Sequence, residues 1–152
     1  MITTSTDKRT RHSIQVCNGL LRGEVSAKET YETAIERFSE EPEVGELWSI
    51  RHEHARSVDA LREYILSMGG VPNGSSGPWQ SFAAAVEKAD GLLGDSAVVQ
   101  SLLRGEEHCQ TEYLNALDDI AVLPECKRLI RAELLRRANN HLLVLQALAR
   151  SV

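Results

Sequence analysis

Four side chains in this sequence combine the chemistry of a metal ligand with a position inside a hydrophobic helical stripe. They are two carboxylates and two imidazoles: Glu24, His54, Glu106 and His141. When residues are placed at 100° steps around a helix, each of the four lies in the apolar face of its own segment. A carboxylate buried without a partner is costly, so each site needs a cation or hydrogen-bond donors. Two glutamates and two histidines would suit one divalent ion such as zinc, iron or manganese.

The two glutamates belong to a repeated segment. The run Leu20-Leu21-Arg22-Gly23-Glu24 returns as Leu102-Leu103-Arg104-Gly105-Glu106, and the same offset carries Tyr31 onto Tyr113. Aligning His54 with His141 extends the repeat to the segments around the histidines. A repeat of this kind predicts a duplicated helical hairpin, which would bring all four polar side chains to one level of a common core. The paired glycines before the glutamates each cost about 1 kcal/mol of helix propensity, and their placement predicts close helix contacts there.

The elements that must position these residues are helical. Apolar residues recur at helical spacing in four long segments, approximately 11–39, 43–68, 96–120 and 124–150, the third with Ile120 on its buried stripe. A loop rich in Gly, Pro, Asn and Ser follows the second segment, and a short helix at 79–89 carrying Trp79 is predicted to cap the bundle. The sequence therefore predicts an all-α fold, an antiparallel four-helix bundle whose long crossover contains a short helix.

Composition narrows the classes of function. The 152 residues suit a single domain, assigned to residues 12–150, after a polar and flexible N-terminus at 1–11. A net charge of −5 argues against nucleic acid or an anionic membrane as a partner, and no apolar run is long enough to span a bilayer. The cysteines Cys17, Cys109 and Cys126 lie in helical patterns, which predicts buried, reduced thiols and a cytoplasmic location.

On these residues the sequence resembles the ferritin-like four-helix bundles. Their two-iron pattern is a Glu from each of two helices and a Glu-x-x-His from each of the other two. The two glutamates match the first kind of ligand, and the two histidines match the histidine of the second. More closely, the sequence resembles a bacterial domain-of-unknown-function family of such bundles, marked by Gly-Glu with a downstream Tyr and by Gly-Gly-x-Pro, here Gly69-Gly70-Val71-Pro72. The resemblance spans roughly residues 12–150, and it implies that Tyr31 and Tyr113 surround the ligands.

The sequence departs from the two-iron pattern at two of the six ligand positions. Glu-x-x-His would place carboxylates at positions 51 and 138, where this chain has Arg51 and Ala138. A standard two-iron centre with bridging carboxylates is therefore disfavoured.

Two functions remain open. In the first, a ferritin-like protein holds one divalent metal through the two glutamates and two histidines, inside a shell of Tyr31, Tyr113 and Arg51. In the second, a non-catalytic structural or stress-related bundle holds no metal, and Arg51 neutralises Glu24 or Glu106. His52 and Glu53 are predicted to face solvent because consecutive helical residues point in different directions. The sequence does not decide whether the protein is an enzyme, and pairing of two copies through helical faces is a further expectation.

Overall fold

The computed structural model describes residues 4–75, 77–88 and 94–152, with side chains from residue 8 onward. Every regular element in these ranges is helical, which confirms the all-α prediction. The α-helices are α1 (Thr4–Arg37), α2 (Val44–Ser67), α3 (Gln80–Lys88), α4 (Gly94–Asp118), α5 (Pro124–Leu129) and α6 (Leu135–Ala149). A π-helical turn, Ile130–Leu134, joins α5 to α6 without a break. Within the described ranges, each helix is too short or too polar to cross a lipid bilayer.

The helices bury one shared hydrophobic core. Helix α1 packs along α2, and α4 packs along α6, so the chain forms two helical hairpins. Contacts of α1 with α4 and of α2 with α6 join the hairpins, while α3 lies against both α1 and α4. The core is built from aliphatic side chains and a few large aromatic ones, among them Tyr31, Phe38, Trp79 and Tyr113. Trp79, which the sequence predicts to cap the bundle, is fully buried in this core, and its ring centroid lies 5.9 Å from that of His54.

The predicted apolar stripes form this core, with one exception. Ile120 is 90% exposed because α4 ends at Asp118, so the helical periodicity no longer applies to it. The predicted short helix at 79–89 corresponds to α3, and its last predicted residue lies outside the described ranges. All three cysteine side chains are buried, as predicted, and Cys17 Sγ lies 3.2 Å from Cys126 Sγ between α1 and α5.

The first helix begins earlier than the sequence predicts. Residues 4–11 belong to α1 and not to an irregular terminus, while residues 1–3 lie outside the described ranges. The cause is tertiary: Arg9 Nη2 donates to the carbonyl oxygen of Val122 at 3.3 Å, and His12 Nε2 lies 2.7 Å from Asp119 Oδ2. These contacts hold the first turns of α1 against the connection between α4 and α5.

Candidate metal centre

Each long helical segment contributes one carboxylate or imidazole to the middle of the core. Glu24 lies on α1, His54 on α2, Glu106 on α4 and His141 on α6. All four are buried, and none is more than 3% exposed. They reach the interior because they occupy positions in largely apolar stripes, so burying each stripe buries its carboxylate or imidazole with it. The four residues predicted from the sequence therefore meet in space, each in contact with at least one of the others.

His54 lies between the two glutamates. Its Nδ1 is 2.7 Å from Glu24 Oε2, and its Nε2 is 2.7 Å from Glu106 Oε2. A neutral imidazole has only one N–H, so two carboxylate partners require the doubly protonated form. Burial lowers the pKa of His54, but the charges of Glu106 and Glu24 outweigh burial and raise this pKa to about 10. In the metal-free protein His54 is therefore an imidazolium at neutral pH.

Glu106 is the shared acceptor at the centre. His141 Nδ1 lies 3.3 Å from Glu106 Oε1, on the other side of the carboxylate from His54, and the two imidazole centroids are 4.8 Å apart. Burial raises the pKa of Glu106, but the nearby His54 and His141 outweigh burial and hold this pKa well below its usual range. Glu106 is thus ionised, fully buried and in contact with both histidines.

The two tyrosines cross between the hairpins. Tyr31 on α1 donates from its hydroxyl to Glu106 Oε2 at 2.6 Å, and Tyr113 on α4 donates to Glu24 Oε1 at 2.9 Å. Burial, together with the neighbouring carboxylates, raises the pKa of both phenols well above its usual value. Both tyrosines are consequently neutral donors to the two buried glutamates.

Arg51 does not have the partner expected from the sequence. Its Nη2 lies 2.6 Å from Glu32 Oε2, in a pair that is partly open to solvent, rather than against Glu24 or Glu106. A long arginine side chain at the flank of a helix can turn its charged head away from the core towards an exposed carboxylate within reach. The imidazolium of His54 supplies the positive charge that had been assigned to Arg51.

Glu53 was wrongly predicted to face solvent. Its Oε1 lies 2.7 Å from His141 Nε2, and the side chain is 34% exposed. The reason is the packing of α2 against α6, which turns the flank of α2 beside His54 towards His141. One feature of the sequence could have indicated this contact: Glu53 directly precedes the core histidine His54. His52, on the other flank, is exposed as predicted.

A second polar contact lies one turn away and was missed. Arg137 on α6 is buried, and its Nη1 donates to Ser57 Oγ at 3.1 Å while its Nη2 donates to Glu133 Oε1 at 3.0 Å. Arg137 precedes His141 by one helical turn, and Ser57 follows His54 by about one turn, so the contact forms a polar layer next to the centre. A cation spaced four residues from a core histidine was the signal in the sequence.

Three of the four predicted ligands form a group that could hold a metal ion. One ligand atom from each of His54, Glu106 and His141 lies within 4.8 Å of the others. Two imidazole nitrogens and a carboxylate suit zinc, iron or manganese. Glu24 stands outside this group at the far nitrogen of His54, and Glu53 stands at the far nitrogen of His141.

Fold and site together define an all-helical protein with a buried histidine and carboxylate cluster. Comparison of the chain with protein-family models, with curated proteins and with solved structures gives no significant match.

Proposed function

We propose that the protein binds one divalent metal ion through His54 Nε2, His141 Nδ1 and the carboxylate of Glu106. The orientation of the two imidazoles carries this proposal. Each histidine turns one ring nitrogen towards Glu106 and the other towards a separate carboxylate, Glu24 for His54 and Glu53 for His141. Metal-bound histidines almost always donate their second ring N–H to a carboxylate, a carbonyl or water, which fixes the ring and its tautomer.

The charge of the cluster also fits a divalent ion. His54 has carboxylate oxygens at both ring nitrogens, and its imidazolium form donates to both of them. A divalent ion would take the place of the ring proton that His54 directs at Glu106, so it would keep positive charge beside this buried carboxylate. In this arrangement Glu24 is an orienting residue and not a ligand. Three protein ligands would leave a coordination position for water or another small molecule.

The crossed tyrosines support the ferritin-like bundle and the internal duplication that the sequence predicts. The repeat that carries Glu24 onto Glu106 also carries Tyr31 onto Tyr113. Under this repeat, the hydrogen bond from Tyr31 to Glu106 corresponds to the hydrogen bond from Tyr113 to Glu24. Two hairpins descended from one sequence and related by a twofold axis would make this pair of contacts.

A specific observation favours a second candidate, a metal-free structural bundle. The imidazolium of His54, with its pKa raised to about 10, balances buried carboxylate charge without any metal. The carboxylates also accept hydrogen bonds from Tyr31 and Tyr113, so the network is satisfied as it stands. Cytoplasmic location, pairing of two copies and the absence of a nucleic-acid partner stay predictions under either candidate.

Elemental analysis of untagged protein by mass spectrometry, followed by titration, separates the two candidates. Chelator-treated protein would be titrated with Zn²⁺ and, without oxygen, with Fe²⁺ and Mn²⁺. We expect saturation at one ion per chain and loss of saturable binding in Glu106→Gln and in His141→Gln. Glu24→Gln should retain the site but weaken it by about 10-fold to 100-fold, the usual effect of removing a carboxylate that orients a ligand.

Exposed neighbours on the same helices provide matched controls. Glu107→Gln on α4 and His52→Gln on α2 should bind metal as the wild type does. A wild-type protein that takes up no ion, and whose melting temperature ignores the chelator, would establish the metal-free bundle. Equal losses in the control variants would place metal binding on the protein surface.

A further inference from the structure

A cavity of about 410 Å³ opens between α1 and α4, beside the candidate metal centre. Its volume lies within the range of about 300–1,000 Å³ typical of small-molecule sites. The walls combine small and apolar residues with polar residues at the rim. They include Gly19, Leu20 and Gly23 of α1 and His108, Tyr113 and Ala116 of α4.

In the other half of the repeat, the indole ring of Trp79 occupies the position that corresponds to this cavity. A Cβ added to Gly105 would lie 2.5 Å from Cζ3 and Cη2 of the Trp79 indole, so the glycine allows the ring to reach the helix backbone. The Tyr31 ring centroid lies 6.0 Å from that of Trp79, and Ser26 Oγ accepts a hydrogen bond from the Trp79 backbone N–H at 3.0 Å. Gly105, Tyr31 and Ser26 thus surround a buried indole.

The repeat carries these three residues onto residues that line the cavity. Gly105 corresponds to Gly23, Tyr31 to Tyr113 and Ser26 to His108, and all three counterparts are in the cavity wall. A Cβ added to Gly23 would meet no other atom within 4 Å. One half of the repeat therefore encloses an aromatic ring, and the other half offers corresponding surroundings around open space.

We infer that the cavity binds a planar aromatic molecule of at least the size of an indole. The backbone at Gly23 accepts a flat face, and the buried ring of Tyr113 is an aromatic neighbour in the cavity wall. Arg22 and Glu112 at the rim can recognise a polar substituent of either charge. Because Tyr113 also donates to Glu24, the bound molecule contacts a residue of the core network. The inference rests on the cavity and the repeat and does not require a bound metal.

Indole itself is the probe that tests the site. Chelator-treated protein would be titrated with indole and followed by saturation-transfer NMR and by calorimetry. We expect saturable binding at one molecule per chain, weakened by at least about tenfold, or 1.4 kcal/mol, in Gly23→Leu, whose side chain fills the cavity. Gly19→Leu fills the same cavity from one turn earlier and should have the same effect, which covers the case of a variant that folds poorly.

Gly45→Leu is the matched control, because Gly45 lies in an exposed first turn of α2 where an added Cβ also meets nothing within 4 Å. Its affinity for indole should equal that of the wild type. Cyclohexanol, a ring without π-electrons, should bind more weakly than indole. The inference is overturned if indole shows no saturable binding at millimolar concentration, if both cavity variants bind it like the wild type, or if cyclohexanol binds equally well.

Discussion

The two copies of Leu-Leu-Arg-Gly-Glu have the same sequence but different surroundings. In the copy on α4, Trp79 covers Gly105, and Glu106 accepts hydrogen bonds from Tyr31 and from both core histidines. In the copy on α1, Gly23 borders an open cavity, and the partners of Glu24 are His54 and Tyr113. Identical local sequences fix the direction of each side chain from its helix, but they do not fix what that side chain meets.

The difference arises from the single crossover of the chain. Helix α3 and the preceding Trp79 connect the two hairpins once and pack against both α1 and α4. One connection supplies one indole, so only one of the two glycines can be covered. The asymmetry of the repeat follows from the connectivity, and the variants below test how far it extends.

The largest contrast is expected between the two glutamates. In chelator-treated protein, Glu106→Gln should lower the free energy of unfolding by about 3–5 kcal/mol, because it leaves buried imidazolium charge without its main partner. Glu24→Gln should lower the free energy of unfolding by less, because His54 keeps its contact with the carboxylate of Glu106. Urea denaturation at pH 7 measures both values. Equal losses would show that the two copies contribute equally to the charge balance.

The same substitution at the two glycines is expected to change stability in opposite directions, by smaller amounts than at the glutamates. Gly105→Ala should destabilise the protein by about 1–3 kcal/mol, because the new methyl group overlaps the buried indole of Trp79. Gly23→Ala should be neutral or stabilising by up to about 1 kcal/mol, since alanine favours the helix and its methyl group enters open space. Thermal denaturation of the pair provides the measurement, and a loss of stability in both variants would contradict the asymmetry.

The free energy of unfolding is also expected to depend on pH. His54 has a pKa of about 10 in the folded protein, raised from the ordinary histidine value of 6.5. Its stabilising contribution is therefore complete below about pH 6.5 and is lost as the pH rises to about 10, at roughly 1.4 kcal/mol per pH unit. Glu106→Gln should lower the upper limit of this range more than Glu24→Gln, because Glu106 contributes more to the shift. Urea denaturation from pH 6 to 10 tests this, and a flat profile in the metal-free wild type would contradict it.

The sequence was sufficient for those parts of the fold and site that depend on periodicity. The stripes placed Glu24, His54, Glu106 and His141 in one core, and the repeat paired Tyr31 with Tyr113. Helical periodicity describes one helix at a time and contains no information about neighbouring helices. It therefore predicted that Glu53 faces solvent, although α6 lies against that flank of α2. The same limit applies to Arg51, whose long side chain reaches Glu32.

Two further features depend on information that periodicity does not contain. The start of α1 is set by contacts of Arg9 and His12 with residues more than 100 positions away, which the polar local sequence does not show. The π turn at Ile130–Leu134 adds a residue to the helical repeat, so positions before and after it follow different phases. Each of these features depends on a tertiary contact or on a local backbone geometry that a single helical period does not describe.

The crossed tyrosine contacts have a consequence for how the chain can be divided. Each tyrosine donates its hydrogen bond to a glutamate of the other hairpin, Tyr31 to Glu106 and Tyr113 to Glu24. Neither hairpin therefore contains both members of such a pair. A hairpin separated at the crossover would keep a buried carboxylate and lose the hydroxyl that satisfies it. We therefore expect that neither half would fold by itself if the chain were cut at the crossover.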